Sequence, residues 1–141
     1  MILYLDTSAL IKRYFQEAFS EDVSFRWRQS EAVVTSAVAY AETLATIFRK
    51  KNESHLPDRV VEKIVSAFQK DWSAFILVEV KNDLNDYIDK VVQNHSLRGF
   101  DAIHLASALI IHEKLPHDFF FACFDQKLNH AARTEGLETS K

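Results

Sequence analysis

Glycine and proline are scarce in this 141-residue chain, with two of each, at Gly99, Gly136, Pro57 and Pro116. The shortage excludes the glycine-rich phosphate loops GxGxxG and GxxxxGK[ST], whose backbones approach phosphate only where no side chain intervenes. It also argues against an all-β chain, which needs frequent tight turns. Cysteine is represented by Cys123 alone, so no intramolecular disulfide is expected, and the composition suits a reducing, cytoplasmic compartment. No apolar run approaches the roughly 18 residues of a membrane span. The longest candidate, AIHLASALII, is interrupted by His104. The first residues carry neither a basic region nor a cleavage-site pattern, so no secretory signal is expected. Basic excess is missing too. The net charge is −3, opposite to the usual footprint of a nucleic-acid-binding chain.

What is present reads as one globular domain over residues 1–141, with 48% apolar and 26% charged residues and enough length for a full core. Four short runs, ILYLD (2–6), AVVTS (32–36), AFILVEV (74–80) and FFFACFD (119–125), are rich in β-branched or aromatic residues and predict strands. The first and fourth are apolar on both faces, as expected of strands covered by helices on each side. A fifth, short strand is expected near Leu137–Thr139. Helical patterns fall at 9–15, 21–29, 37–51, from Pro57 to about Trp72, and at 84–92, 100–112 and 127–134. Pro57 suits the first turn of its helix. Strands alternating with helices predict a parallel sheet of four to five strands in a three-layer α/β/α sandwich.

Four acids stand at positions that such a fold brings to one rim. Asp6 and Asp125 end the first and fourth strands. Each also suits a helix cap, because its oxygens can accept the free amide hydrogens of a first turn. Glu42, in AYAETL, is expected in the second turn of the helix after the second strand. Taken alone it reads as a surface residue beside an apolar stripe. Asp101 opens the most apolar helix, in LRGFDAIHLASALII. The helix dipole favours an acid there, yet aspartate is a poor helix former. Open parallel sheets bind ligands outside their carboxyl edge. Four carboxylates within a few ångströms there would repel one another, and a hard divalent cation such as Mg²⁺ or Mn²⁺ relieves that with oxygen ligands and retained waters. Such a site suits phosphodiester hydrolysis.

DTSAL after an apolar strand, a helical acid in AYAETL, LRGFDAIHLASAL and FACFDQKL, in that order, resemble the PIN-domain family, and within it the VapC-type toxins of toxin–antitoxin pairs. The resemblance runs from Asp6 to Asp125. It implies a Rossmann-like, PIN-type α/β/α sandwich and Mg²⁺- or Mn²⁺-dependent cleavage of RNA, with Asp6, Glu42, Asp101 and Asp125 as metal ligands and catalytic residues. It also implies that Ser8 hydrogen-bonds a ligand or its water, that the chain forms a homodimer, and that an antitoxin covers the site with its C-terminal segment. Relatives often carry Thr or Ser where this chain has Cys123; a thiol is a poor donor and would support Asp125 less well.

Leaving the four acids out reduces the 20 to 16, against 17 Lys and Arg, so the negative balance sits within the proposed site. RNA contact then needs only a local basic patch. Arg49, seven residues past Glu42 on nearly the same helix face, leads the candidate substrate contacts together with Lys50 and Lys51; Arg98, three residues before Asp101, and Lys12 and Arg13 are further candidates. A cation near a helix C-terminus is also favoured by the dipole, and Arg49 fits that description equally. His104 forms an Asp-x-x-His pair with Asp101 and is read as structural, bonding within the core or orienting a neighbour. His55, His95, His112, His117 and His130 form no metal spacing and are read as exposed. Phe15, Phe19, Phe25 and Trp27 are candidates for a dimer or antitoxin surface. A haloacid-dehalogenase-like phosphotransferase is disfavoured because Ser8 stands where its second acid is needed. The remaining alternative is a PIN-like module that binds RNA or protein without cutting.

Overall fold

A computed structural model describes residues 1–115 and 118–140. His117, read above as exposed, lies outside the described residues. Five parallel strands form one sheet in the order β3-β2-β1-β4-β5: β1 (Ile2–Leu5), β2 (Ala32–Ser36), β3 (Ile76–Val78), β4 (Phe119–Ala122) and β5 (Glu138–Thr139). Seven α-helices connect them: α1 (Thr7–Leu10), α2 (Ser20–Gln29), α3 (Ala39–Ser54), α4 (Asp58–Trp72), α5 (Asn85–His95), α6 (Gly99–Lys114) and α7 (Gln126–Thr134). This is the three-layer α/β/α sandwich expected from the sequence.

Alternation along the central strands divides the core in two. Leu3 and Leu5 of β1 and Phe120 and Ala122 of β4 pack with Ala9, Leu10, Val23, Ile47, Val61 and Phe68, from α1 to α4. Tyr4, Phe119 and Phe121 point the other way, against Val91 of α5, Leu105, Ala106 and Leu109 of α6, and Leu128 of α7. The stacked rings of Tyr4 and Phe121, 5.3 Å apart, anchor that second core. Burial of both faces explains why β1 and β4 are apolar throughout.

Several boundaries differ from expectation. The run at 74–80 yields a strand only over Ile76–Val78, because β3 is the sheet edge; Ile76, Leu77 and Val80 are all exposed. The first helix is a single α-turn that tightens into a 3₁₀ turn at Ile11–Arg13. Pro57 is the N-cap of α4, with ψ 146°, rather than a member of its first turn. With so few glycines, α3 and α5 stop at His55 and Ser96, both at φ 52°, the left-handed position that glycine usually fills. Gly136 does fill it after α7, at φ 95°.

Candidate active site

Chain order reverses where β1 lies beside β4, and a parallel sheet opens a crevice beyond its carboxyl edge at such a point. Asp6 and Asp125 follow those two strands directly, and both cap helices. Asp6 Oδ1 accepts from Ala9 N at 2.9 Å and from the Ser8 hydroxyl at 2.7 Å. Asp125 Oδ1 accepts from Leu128 N at 2.8 Å. Capping therefore occupies one oxygen of each carboxylate and leaves the second without a protein donor among the described residues. Ser8 also ties the two strand ends together, its Oγ accepting from Phe124 N at 3.0 Å.

Glu42 arrives from the first turn of α3, one turn earlier than expected because the helix begins at Ala39. Its Oε1 accepts from the Thr7 hydroxyl at 2.6 Å and lies 2.9 Å from His104 Nε2. A carboxylate only accepts, so Nε2 carries the proton, and His104 Nδ1, 2.8 Å from the Tyr4 hydroxyl, accepts in the neutral ring. Tyr4 and His104 are buried. This chain of contacts fixes Glu42 from beneath.

Asp101, in the first turn of α6, has Oδ2 3.8 Å from Nε of the exposed Arg98. A cleft of about 580 Å³ lies over this corner, lined by Glu42, Arg98, Gly99, Phe100, Asp101 and Ile103.

The electrostatics link all four acids. Burial pushes Asp6 up to about 6, opposed by His104 and by the Ser8 and Ala9 hydrogen bonds and reinforced by the charge of Asp101. Asp101 is raised by burial and then by Asp125, with a smaller push from Glu42. Burial works to raise Glu42 as well, but its bonds to His104 and Thr7 outweigh it and hold the carboxyl below its usual range. Asp101 thus couples by charge to each of the other three acids around the shared rim. Among the described residues, however, no three Asp, Glu, His or Cys side chains are already gathered to enclose a metal ion. The expected convergence to within a few ångströms is met only as far as the shared rim. As donors the set suits a hard divalent cation: anionic oxygens, three of the four with one atom anchored by the protein. Such an ion keeps several waters and needs few direct protein ligands.

Other candidates fall as follows. Arg98 borders the acidic cleft. Arg49 lies farther along α3, exposed, 4.0 Å from Glu53 and outside that lining. Lys12 pairs with Glu17 at 3.0 Å, and Arg13 sits 3.7 Å from Asp71. Cys123 is buried, its thiol 3.6 Å from the backbone oxygen of Asp125, so it touches that residue's main chain and not its carboxylate. Burial pushes the Cys123 thiol pKa well up. Phe15 and Trp27 are half-buried, whereas Phe19 and Phe25 are exposed. His104, expected to bond within the core or orient a neighbour, does both, to Tyr4 and to Glu42. Thr7 and Tyr4 were not expected at the site; a signal for Thr7 existed in its place between Asp6 and Ser8.

Comparison with known proteins supports the fold. Ribonuclease VapC45 of Mycobacterium tuberculosis (strain CDC 1551 / Oshkosh) is 27% identical over 139 residues, 99% of this chain and 94% of that protein. The crystal structure of VapBC2 from Rickettsia felis, bound to a DNA fragment from its promoter, superposes with a TM-score of 0.66 at 13% identity, covering 99% of this chain and 98% of that one. M. tuberculosis VapC20, described as a Sarcin-Ricin loop cleaving toxin, gives 0.62 at 16% identity over 92% and 94% of the two chains. The PIN domain model matches residues 3–133, from the first strand through the last helix and across every acid of the rim, and the chain belongs to the PIN-domain family.

Proposed function

We propose that this chain is an endoribonuclease, the toxin of a toxin–antitoxin pair, that hydrolyses RNA phosphodiester bonds with Mg²⁺ or Mn²⁺ held by Asp6, Glu42, Asp101 and Asp125. The observation that carries the reading is the rim itself: four carboxylates at the switch point of a parallel sheet, each of the other three coupled by charge to Asp101, and three of them with one oxygen fixed by the protein and another left over. When bound, such a cation lowers the pKa of its water and offsets charge growing on the phosphate. The protein's own part is orientation. Ser8 and Ala9 hold Asp6, Thr7 and His104 hold Glu42 as an anion, and the α7 amide of Leu128 holds Asp125. Arg98, beside Asp101, offers a cation to an incoming phosphate.

Relatives named as ribonucleases and the likeness to a VapBC structure support RNA as substrate and an antitoxin as partner. The same reading includes a homodimer. No described helix is long and apolar enough to cross a membrane.

A non-cutting RNA- or protein-binding module is the second reading, favoured by the absence of a ready-made three-ligand cluster among the described residues. Incubating RNA with the full chain separates the two. Cleavage that requires Mg²⁺ or Mn²⁺, stops with a chelator and disappears in Asp101→Asn supports the nuclease; intact RNA under every condition supports the module.

A further inference from the structure

A second cleft, of about 830 Å³, opens beside the acid rim between α2 and α7 and meets the rim at Phe124. Phe19, on its lip, holds a left-handed backbone at φ 69° and ψ 7°, which a bulky L-residue adopts only at a cost. That backbone presents a ring 64% exposed and stacked on Phe124, with centroids 5.4 Å apart and planes 20° from parallel. Asn129 lines the cleft and is 9% exposed. Its Nδ2 donates to Cys123 O at 3.0 Å, while its Oδ1 has no hydrogen-bond partner among the described residues. A buried acceptor without a donor is costly and uncommon in native proteins. Among the described residues, Arg26 and Arg133 line the cleft against one acid, Asp22, so their side-chain charge balance is positive where the neighbouring rim is negative. The volume falls in the range of small-molecule sites.

We infer that this cleft receives one nucleobase of the RNA strand, next to the phosphate that is cut. The inference rests on the reading of the acid rim as an RNA-cutting centre and adds to it a site that selects sequence. The exposed face of Phe19 is a stacking surface, and stacking on an aromatic ring tolerates any base. Asn129 Oδ1 lacks a donor, and the edge N–H of a base supplies one; this contact depends on where the base carries its hydrogens. Proximity to the cut follows from the chain itself. Phe124 precedes Asp125, and its amide is held by the same Ser8 hydroxyl that holds Asp6.

The test uses the full chain carrying Asp101→Asn, so that strands stay intact with Mn²⁺ present, and short single-stranded RNAs made only of A, only of C or only of U. Fluorescence anisotropy reads binding. The expected result is a preference for one RNA of about tenfold, reduced below about threefold by Asn129→Ala, because a site built to pair with an N–H discriminates strongly only while that partner is present. Phe19→Gly weakens all three by roughly fivefold or more and keeps their ranking. It does not lower the melting temperature, since glycine relieves the left-handed backbone. Equal binding of the three RNAs, absence of RNA binding, or a preference that survives Asn129→Ala overturns the inference. So does unchanged affinity in Phe19→Gly, or a change in its sedimentation that assigns the ring to contact with another protein chain. Should Asn129→Ala fail to fold, the exposed Phe19 position still decides. Cutting is read separately, with Asp101 intact. Failure to cut removes the nuclease reading, whereas loss of selectivity removes only the base site.

Discussion

Replacing Asp6 by asparagine keeps the shape of a buried side chain and removes its charge, and the structure gives the size and pH dependence of the effect. Burial raises the Asp6 pKa from 3.8 to about 6. Two units correspond to about 3 kcal/mol between the protonation states. The sign follows from proton binding. Between about pH 4 and 6 the folded chain holds a proton on Asp6 that the unfolded chain has lost, so the contribution of Asp6 is most favourable below about pH 4 and is lost as pH rises through about 6. If the new amide nitrogen is buried without an acceptor, that costs about 1–2 kcal/mol. Asp6→Asn is therefore expected to exceed the wild type by roughly 1–2 kcal/mol at pH 7.5 and to fall below it at pH 4. Glu17, Glu42 and Glu135, whose pKa values lie below their usual range, contribute stability that is lost as pH falls; comparing the two proteins cancels this. Urea unfolding of both at several pH values, in chelator, measures the difference. A difference that does not change with pH, or that moves in the wild type's favour as pH rises, refutes the reasoning.

His104→Ala removes the donor to Glu42 and leaves the Tyr4 hydroxyl without its ring partner; cleavage is expected to drop by roughly 10–100-fold, with about 1–3 kcal/mol lost in urea unfolding. Ser8→Ala breaks the bridge between Asp6 and Phe124, with about 1–2 kcal/mol of stability lost and slower metal-dependent cleavage in the same assay. Arg98→Ala is expected to weaken RNA binding and to lower the slope of log affinity against log salt by about one, while Arg49→Ala, paired with Glu53 outside the cleft, changes it less. Cys123 is buried with a raised pKa, so iodoacetamide at pH 8 should leave the folded chain unmodified by mass spectrometry and label it only in denaturant.

The sheet was largely legible because β1, β2 and β4 are covered on both faces, which imposes uninterrupted apolar runs. The run at 74–80 looked similar and yet became an exposed edge, since apolarity records what a strand tolerates and not whether a neighbour covers it. Asp6, Glu42, Asp101 and Asp125 were visible as acids beside apolar segments at strand ends and helix starts. The supports beneath them were not, because contacts such as Tyr4–His104 and Thr7–Glu42 join distant parts of the chain and carry no local period. Phe19 is harder still: nothing in its residue type announces a left-handed backbone, which the turn into α2 imposes on it.

The most direct test of the acid rim compares melting temperatures of the wild type and the Asp6→Asn, Asp101→Asn double variant, with chelator and with millimolar Mn²⁺. A cation that binds only the folded chain must stabilise it, by about 2.7 kcal/mol at a hundredfold excess over its dissociation constant. The wild type is expected to gain several degrees with Mn²⁺ and the double variant almost none. An unchanged wild type, or equal gains in both proteins, contradicts a cation held by these carboxylates.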